Sequence, residues 1–160
     1  MADTEHLLSG GNVNSGGVRI DNTVRRGQTA ASPGVHQLLR HLEAKGFDGC
    51  PRFLGTDGRG REILSFIEGS TDIPPAIWYT DEPLLAAARL LRQYHDATLD
   101  FVGENNFAWA YCYPDARRHE VICHNDFAPY NFVYRDDSPI AVIDFDLAGP
   151  GPRLRDIAYA

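Results

Sequence analysis

The chain has 160 residues, of which 43% are hydrophobic and 23% are charged, a balance typical of a globular protein and not of a disordered one. This length suits one domain with a single core or two small lobes. The net charge of −7 excludes a nucleic-acid coat, because such binding depends on many lysine and arginine contacts with phosphate. The sequence begins without a basic, apolar signal segment and contains no apolar run of membrane length, so we expect a cytoplasmic protein without membrane contacts.

The N-terminal part predicts a small antiparallel sheet that carries one helix. Glycines cluster between Gly10 and Gly17, a composition typical of a turn or flexible loop. Residues 18–20 and 23–25 flank Asp21-Asn22, which predicts a hairpin with a two-residue turn. Two further strands are predicted at 52–55 and 63–67.

A helix is predicted from Ser32-Pro33 to about Lys45, because a capping residue and a proline open it and Gly46 follows it. Its apolar residues recur with helical spacing and predict a single buried face, which consists of Val35, Leu38, Leu39 and Leu42.

Residues 68–76 contain two prolines without periodicity, and we interpret them as the boundary between an N-terminal lobe, 1–67, and a C-terminal lobe, 68–160. The second lobe begins with a helix from Thr80 or Asp81 to about Thr98. Its predicted core face consists of Leu84, Leu85, Ala88, Leu91 and His95. Three short strands are expected next, at 121–123, 132–134 and 140–143. The glycines and prolines of Gly149–Pro152 predict a break in regular secondary structure, and a final helical segment follows.

Polar side chains cluster where these strands end. The stretch from His124 to Asn131 has the form H-x-D-x-x-x-x-N, the pattern of a kinase catalytic loop without its usual arginine. An apolar strand follows and ends in Asp144, 18 residues beyond Asp126. A phosphoryl-transfer site needs a magnesium-holding aspartate at such a place.

Four sequence segments resemble the aminoglycoside phosphotransferase and choline kinase family: CHNDFAPYNFVY, AVIDFDLAG, SFIEGS and LLRQYHDAT. The resemblance runs from about Ser9 to the last residue, and its two catalytic phrases are specific. It implies an α+β, two-lobed protein-kinase-like fold, with a small antiparallel sheet lobe and a partial helical lobe.

The resemblance also implies the roles of individual residues. Asp126 would accept or orient the proton of the attacking hydroxyl, whereas Asn131 and Asp144 would hold Mg²⁺ against the phosphates of ATP. Asp146 would assist in holding the metal if the strand persists, because residues i and i+2 of a strand point to the same side. His124 would pin the loop by hydrogen bonds, although a structural acid or turn residue remains an alternative at both Asp144 and Asp146.

The nucleotide-binding residues of the N-terminal lobe match the family less closely. Gly10 and Gly11 would cover the phosphates, and Phe66 and Ile67 would place their backbone against the adenine. The family expects a basic residue that reaches the phosphates, for which Arg25 is the better match and Arg26 the alternative register. The glutamate that should pair with this base from the middle of the first helix is missing, since Glu43 lies near the helix end.

The expected function is therefore ATP- and Mg²⁺-dependent phosphorylation of a small-molecule hydroxyl, with an aminoglycoside, choline, another amino alcohol or a sugar as acceptor. One alternative is a degenerate kinase-like module that binds nucleotide without transfer. The other is a metal-dependent hydrolase, which would need a second histidine or carboxylate cluster. Because family members continue beyond Ala160 into helices of the acceptor pocket, we expect a truncated relative that self-associates through an exposed C-terminal apolar edge.

Overall fold

The structure is a computed structural model that describes residues 6–8, 17–101 and 107–160. The predicted phosphate-covering residues Gly10 and Gly11 lie outside the described residues. Within the described part of the chain, a five-stranded antiparallel sheet and two two-stranded sheets combine with three α-helices, which confirms the α+β fold class.

The first sheet is antiparallel and has the strand order β1-β2-β3-β5-β4. The elements of this part are β1 (His6–Leu7), β2 (Val18–Ile20), β3 (Thr23–Arg26), α1 (Ser32–Ala44), β4 (Phe53–Thr56) and β5 (Glu62–Ser65). The predicted hairpin is confirmed, because β2 and β3 pair across a two-residue turn in which Asp21 has φ +53°.

Helix α1 has the apolar face that its spacing predicts, since Val35, Leu38, Leu39 and Leu42 are all buried. It ends at Ala44 with Lys45 as its C-cap, close to the expected end, and Gly46 follows with φ +72°, a conformation that glycine adopts without strain.

The second part of the chain contains a hairpin and a pair of strands that are distant in sequence. Its elements are α2 (Glu82–Ala97), β6 (Val121–Cys123), β7 (Phe132–Arg135), β8 (Ser138–Val142), β9 (Gly149–Gly151) and α3 (Arg153–Tyr159). The three predicted strands are confirmed as β6, β7 and β8. The break in secondary structure predicted from Gly149 is wrong, because that segment forms β9 and pairs with β6. Glycine is needed there for close approach, since a Cβ on Gly149 would meet the carbonyl oxygen of Tyr111 at 1.7 Å.

The core face predicted for α2 is wrong over the first turns of the helix. Leu84 and Leu85 are 66% and 51% exposed, and Ala88 is exposed too. Burial falls instead on Pro83, Leu90, Leu91, Tyr94 and His95. The helix packs on β8 and β6, and the apolar face turned toward these strands includes Tyr94, which the prediction omitted.

One apolar core joins the two parts of the molecule. It contains Leu38 and Leu39 of α1, Leu90 of α2, and the aromatic rings of Phe127 and Phe145. Phe127 and Phe145 belong to the two polar segments that the sequence singles out, so the core fixes both segments from behind. In the described ranges, no helix has the length and apolar character needed to span a membrane.

Candidate active site

The loop after β6 is held in place from two sides. The backbone N–H groups of His124 and Asn125 donate to the carboxylate of Asp156 at 2.9 and 2.8 Å. His124 Nε2 donates to the carbonyl oxygen of Ile143 at 3.0 Å, so His124 pins the loop as predicted. Burial lowers the pKa of His124, which keeps the imidazole neutral and suits a hydrogen bond to a carbonyl.

Asp126 presents its carboxylate to a ring of hydrogen-bond donors. Its oxygens accept from Tyr130 Oη at 2.5 Å, from Tyr159 Oη at 2.9 Å and from Asn131 Nδ2 at 2.7 Å. Partial burial would raise the pKa of Asp126, but these bonds outweigh it and hold the pKa below its ordinary value. Asp126 is therefore ionised at neutral pH, and its carboxylate can accept a hydrogen bond from a hydroxyl.

The end of β8 brings Asn131 and Asp144 together. The carbonyl oxygen of Asn131 accepts from the N–H of Ile143 at 2.8 Å, and Asp144 is the next residue. Asp144 has φ +64°, in the left-handed region, so the chain turns sharply there instead of continuing as a strand.

The strand does not persist to Asp146, so the condition for its predicted role is not met, although Asp144 and Asp146 do share one partner. Strand β8 ends at Val142 and residues 145–147 form a 3-10 turn, so no strand places Asp144 and Asp146 on one side. They meet instead at one guanidinium: Arg26 donates to Asp144 Oδ1 at 3.2 Å and to Asp146 Oδ1 at 2.7 Å. Burial and the charge of Asp144 raise the pKa of Asp146 against the opposing effect of Arg26.

Arg26, and not Arg25, is the basic residue that lies beside the two aspartates. Arg25 lies on the other side of the sheet. Successive residues of a strand alternate between its two faces. Arg25 accordingly donates to Thr23 Oγ1 at 2.5 Å, and its Nε lies 4.0 Å from Asp57. Burial would lower the pKa of Arg26, but the neighbouring carboxylates raise it, so the guanidinium stays protonated.

Sequence reasoning missed the carboxylate that pairs with Arg26 from the sheet. This residue is Glu62, which lies directly opposite Arg26 in the β3–β5 ladder and accepts from Arg26 Nε. Its second oxygen contacts His36 Nε2 of α1 at 2.5 Å, whereas Glu43 is exposed at the end of that helix. Burial would raise the pKa of Glu62, but His36 and Arg26 lower it below its ordinary value.

Phe66 and Ile67 directly follow β5 and are half-buried. The N–H of Phe66 already donates to the carbonyl oxygen of Asn22 at 2.8 Å, and the guanidinium of Arg19 lies 3.5 Å above its ring. An adenine placed there would therefore need other backbone groups than the N–H of Phe66.

The donor set at this site fits a magnesium ion. Asp144, Asp146 and Asn131 supply carboxylate and amide oxygens, and Glu62 adds a further negative charge behind Arg26. Three carboxylates face one guanidinium, so the cluster keeps a negative excess. Among the described residues, no three histidine, cysteine, aspartate or glutamate side chains are grouped so that they alone could hold a metal ion, and Mg²⁺ needs no such group when one or two carboxylates share it with nucleotide phosphates.

Solved structures of similar fold support the two-lobed kinase-like architecture. The gentamicin complex of APH(2")-IIa aligns with a TM-score of 0.69 at 15% identity, over 96% of this chain and 68% of that chain. Spectinomycin phosphotransferase bound to ADP and spectinomycin aligns with a TM-score of 0.66 at 14% identity, over 97% and 67%. A choline/ethanolamine kinase family protein from Mesorhizobium loti aligns with a TM-score of 0.60 at 16% identity, over 99% and 63%.

Sequence comparisons extend this likeness from the fold to the family. A trifolitoxin immunity protein from Rhizobium leguminosarum bv. trifolii is 39% identical over 145 residues, which are 85% of this chain and 55% of that protein. The chain thus matches little more than half the length of this relative. The model of the phosphotransferase enzyme family (APH) matches residues 71–160, which contain Asp126, Asn131 and Asp144. The chain belongs to the phosphotransferase enzyme family.

Proposed function

We propose that the protein transfers the γ-phosphoryl group of ATP to a hydroxyl of a small molecule, with Mg²⁺ as cofactor. The observation that carries this proposal is the joint anchoring of Asp126 and Asn131 beside the strand end that bears Asp144. Phosphoryl transfer depends on positioned groups and charge neutralisation more than on covalent chemistry. Side chains anchored by hydrogen bonds in this way supply the positioned groups, and the carboxylates supply ligands for the neutralising cation.

In the proposed reaction, the acceptor oxygen bonds to the γ-phosphorus while the bond to the β-γ bridging oxygen breaks, which releases ADP. Asp126 orients the hydroxyl and takes its proton. Asn131, Asp144 and Asp146 would hold Mg²⁺, and the metal would supply neutralisation of the phosphate charge. Arg26 turns a permanent positive charge toward the same region.

The acceptor class is part of the proposal. An amino alcohol, aminoglycoside or sugar suits the family, and a cationic acceptor suits an acidic protein. The relative's name adds trifolitoxin as a compound to test as acceptor or ligand.

One observation favours a second candidate, a kinase-like module that binds nucleotide without transfer. Arg26 donates to both Asp144 and Asp146, so a guanidinium already neutralises the carboxylates that would hold the metal. For transfer, Asp144 and Asp146 would have to release Arg26 and turn their oxygens toward the metal. A module in which Arg26 keeps its ion pairs with Asp144 and Asp146 would bind nucleotide without transferring its phosphoryl group.

The test is an ATP and Mg²⁺ assay over amino alcohols, aminoglycosides, sugars and trifolitoxin, with phosphorylated product detected by mass spectrometry. Asp126→Ala is expected to lower turnover by about 10²–10⁴-fold, the range for a positioned acid or base. Asp137→Asn is the matched control, since Asp137 is exposed in the β7–β8 turn. Nucleotide binding without product from any acceptor would identify the binding module, and phosphate release without acceptor would identify a hydrolase.

A further inference from the structure

The side chain of Glu62 joins a helix to a strand inside the N-terminal part. It is only 2% exposed, and both of its carboxylate oxygens have partners. Oε1 accepts from Arg26 Nε, and Oε2 contacts His36 Nε2. A buried carboxylate is costly unless it is paired, so these two contacts explain why a glutamate is tolerated there.

Strand pairing and ring stacking hold the side chains of this array. The ladder between β3 and β5 sets Arg26 directly opposite Glu62, so their side chains share one face of the sheet. The ring of His36 stacks on Phe53 of β4, with centroids 3.7 Å apart and planes 16° from parallel. His36 is thereby fixed from the sheet side as well as by its own helix.

The atoms that Arg26 uses divide into two sets. Its Nε faces Glu62, whereas its terminal nitrogens Nη1 and Nη2 face Asp144 and Asp146. A guanidinium is planar, so an anchor at Nε fixes the direction in which both terminal nitrogens point. Lysine has no equivalent of Nε and would keep the charge without this anchor.

We propose that Glu62 and His36 are positioning residues, which fix the plane of the Arg26 guanidinium so that its terminal nitrogens face the nucleotide phosphates. This inference rests on the proposed function, because it assumes that phosphates come to lie where Arg26 points. The carboxylate comes from a strand and reaches the helix only through His36, which accounts for the absence of a glutamate in the middle of α1.

The first test measures nucleotide affinity by calorimetry, with and without Mg²⁺. Glu62→Gln and His36→Leu are expected to weaken ATP binding about tenfold, the equivalent of one hydrogen bond to a charged group. His36→Gln can still donate to Glu62 and should restore affinity to within about threefold of the wild type. Arg92→Gln is the matched control and should leave affinity unchanged, because Arg92 is 72% exposed on α2. Equal affinities for His36→Leu and the wild type would overturn the proposal.

Arg26→Lys separates positioning from charge. This variant should bind ATP more weakly than the wild type, and adding His36→Leu to it should change affinity little, because the Nε anchor is already gone. A further tenfold loss in the double variant would show that His36 acts on nucleotide binding by another route.

A second measurement does not depend on nucleotide. In urea unfolding of the wild type, Arg26→Gln, His36→Leu and the double variant, the effects on the unfolding equilibrium constant should be non-additive by at least about fivefold, because both residues act through Glu62. Additive effects would overturn the positioning pair. A wild type that binds no ATP but shows this coupling would refute the proposed function and leave the pair standing.

Discussion

Substitution of Asp156 tests directly how the loop after β6 is held in place. Its carboxylate is completely buried and accepts three hydrogen bonds, from the N–H groups of His124 and Asn125 and from Nε2 of His95 at 2.8 Å. Asp156→Asn keeps the shape of the side chain but replaces one oxygen by an NH₂ group. The substitution therefore isolates hydrogen bonding and charge from packing.

The size of the effect follows from these contacts. The new NH₂ group cannot accept, so at least one of the three buried donors loses its partner, at a cost of about 1–3 kcal/mol. The bonds that remain lose the assistance of a full negative charge. Together we expect Asp156→Asn to lower the free energy of unfolding by about 3–5 kcal/mol, a large part of the stability of a domain of this size.

Urea unfolding followed by tryptophan fluorescence measures this loss. Asp96→Asn is the matched control: Asp96 is 43% exposed and pairs with Arg92 and Arg153 at the surface, so its loss should cost less than about 1 kcal/mol. If Asp156→Asn costs no more than Asp96→Asn, the three hydrogen bonds do not carry the attachment of the loop. The reasoning from buried donors would then be refuted.

Three further predictions concern metal, pH and association. Asp144→Asn should weaken ATP binding more in the presence of Mg²⁺ than in its absence, because it removes an anionic oxygen ligand; calorimetry that shows equal losses would make Asp144 structural. Burial lowers the pKa of His124 in the folded state, so below about pH 6.5 the unfolded chain binds a proton that the folded chain resists. The free energy of unfolding should therefore decrease as the pH is lowered, by up to about 1.4 kcal/mol per pH unit. Urea unfolding at a series of pH values should show a weaker pH dependence for His124→Gln. Leu154 and Ile157 are 64% and 57% exposed on α3, so sedimentation velocity should show concentration-dependent association that the double serine variant reduces; a monomer at all concentrations would contradict this.

The sequence predicted best those features that depend on near neighbours along the chain. Asp126 and Asn131 belong to one eight-residue motif, and Asp144 directly follows the apolar run that forms β8. The hairpin of β2 and β3 and the buried face of α1 are likewise local patterns. In each case, a short window contains both the residues and the physical reason for their arrangement.

The face of α2 shows where a local pattern is insufficient. Leucines at 84, 85 and 91 fit a helical stripe, yet the stripe that packs on β8 and β6 runs through Tyr94 and leaves Leu84 and Leu85 exposed. Both stripes are apolar, so periodicity alone does not choose between them. The strands that α2 packs against make the choice, and they come later in the sequence.

Glu62 was not predicted as a site residue because the predicted strand began one residue too late. A strand that begins at residue 63 leaves Glu62 in the preceding turn, where a charged side chain needs no explanation. In the structure β5 begins one residue earlier, so Glu62 shares the buried face with Leu64 and lies opposite Arg26. The same register turns Arg26 inward and Arg25 outward, because neighbouring strand residues face opposite ways. The proposed role of Arg26 needs a carboxylate within reach of its guanidinium, and here that carboxylate comes from a strand and not from a helix.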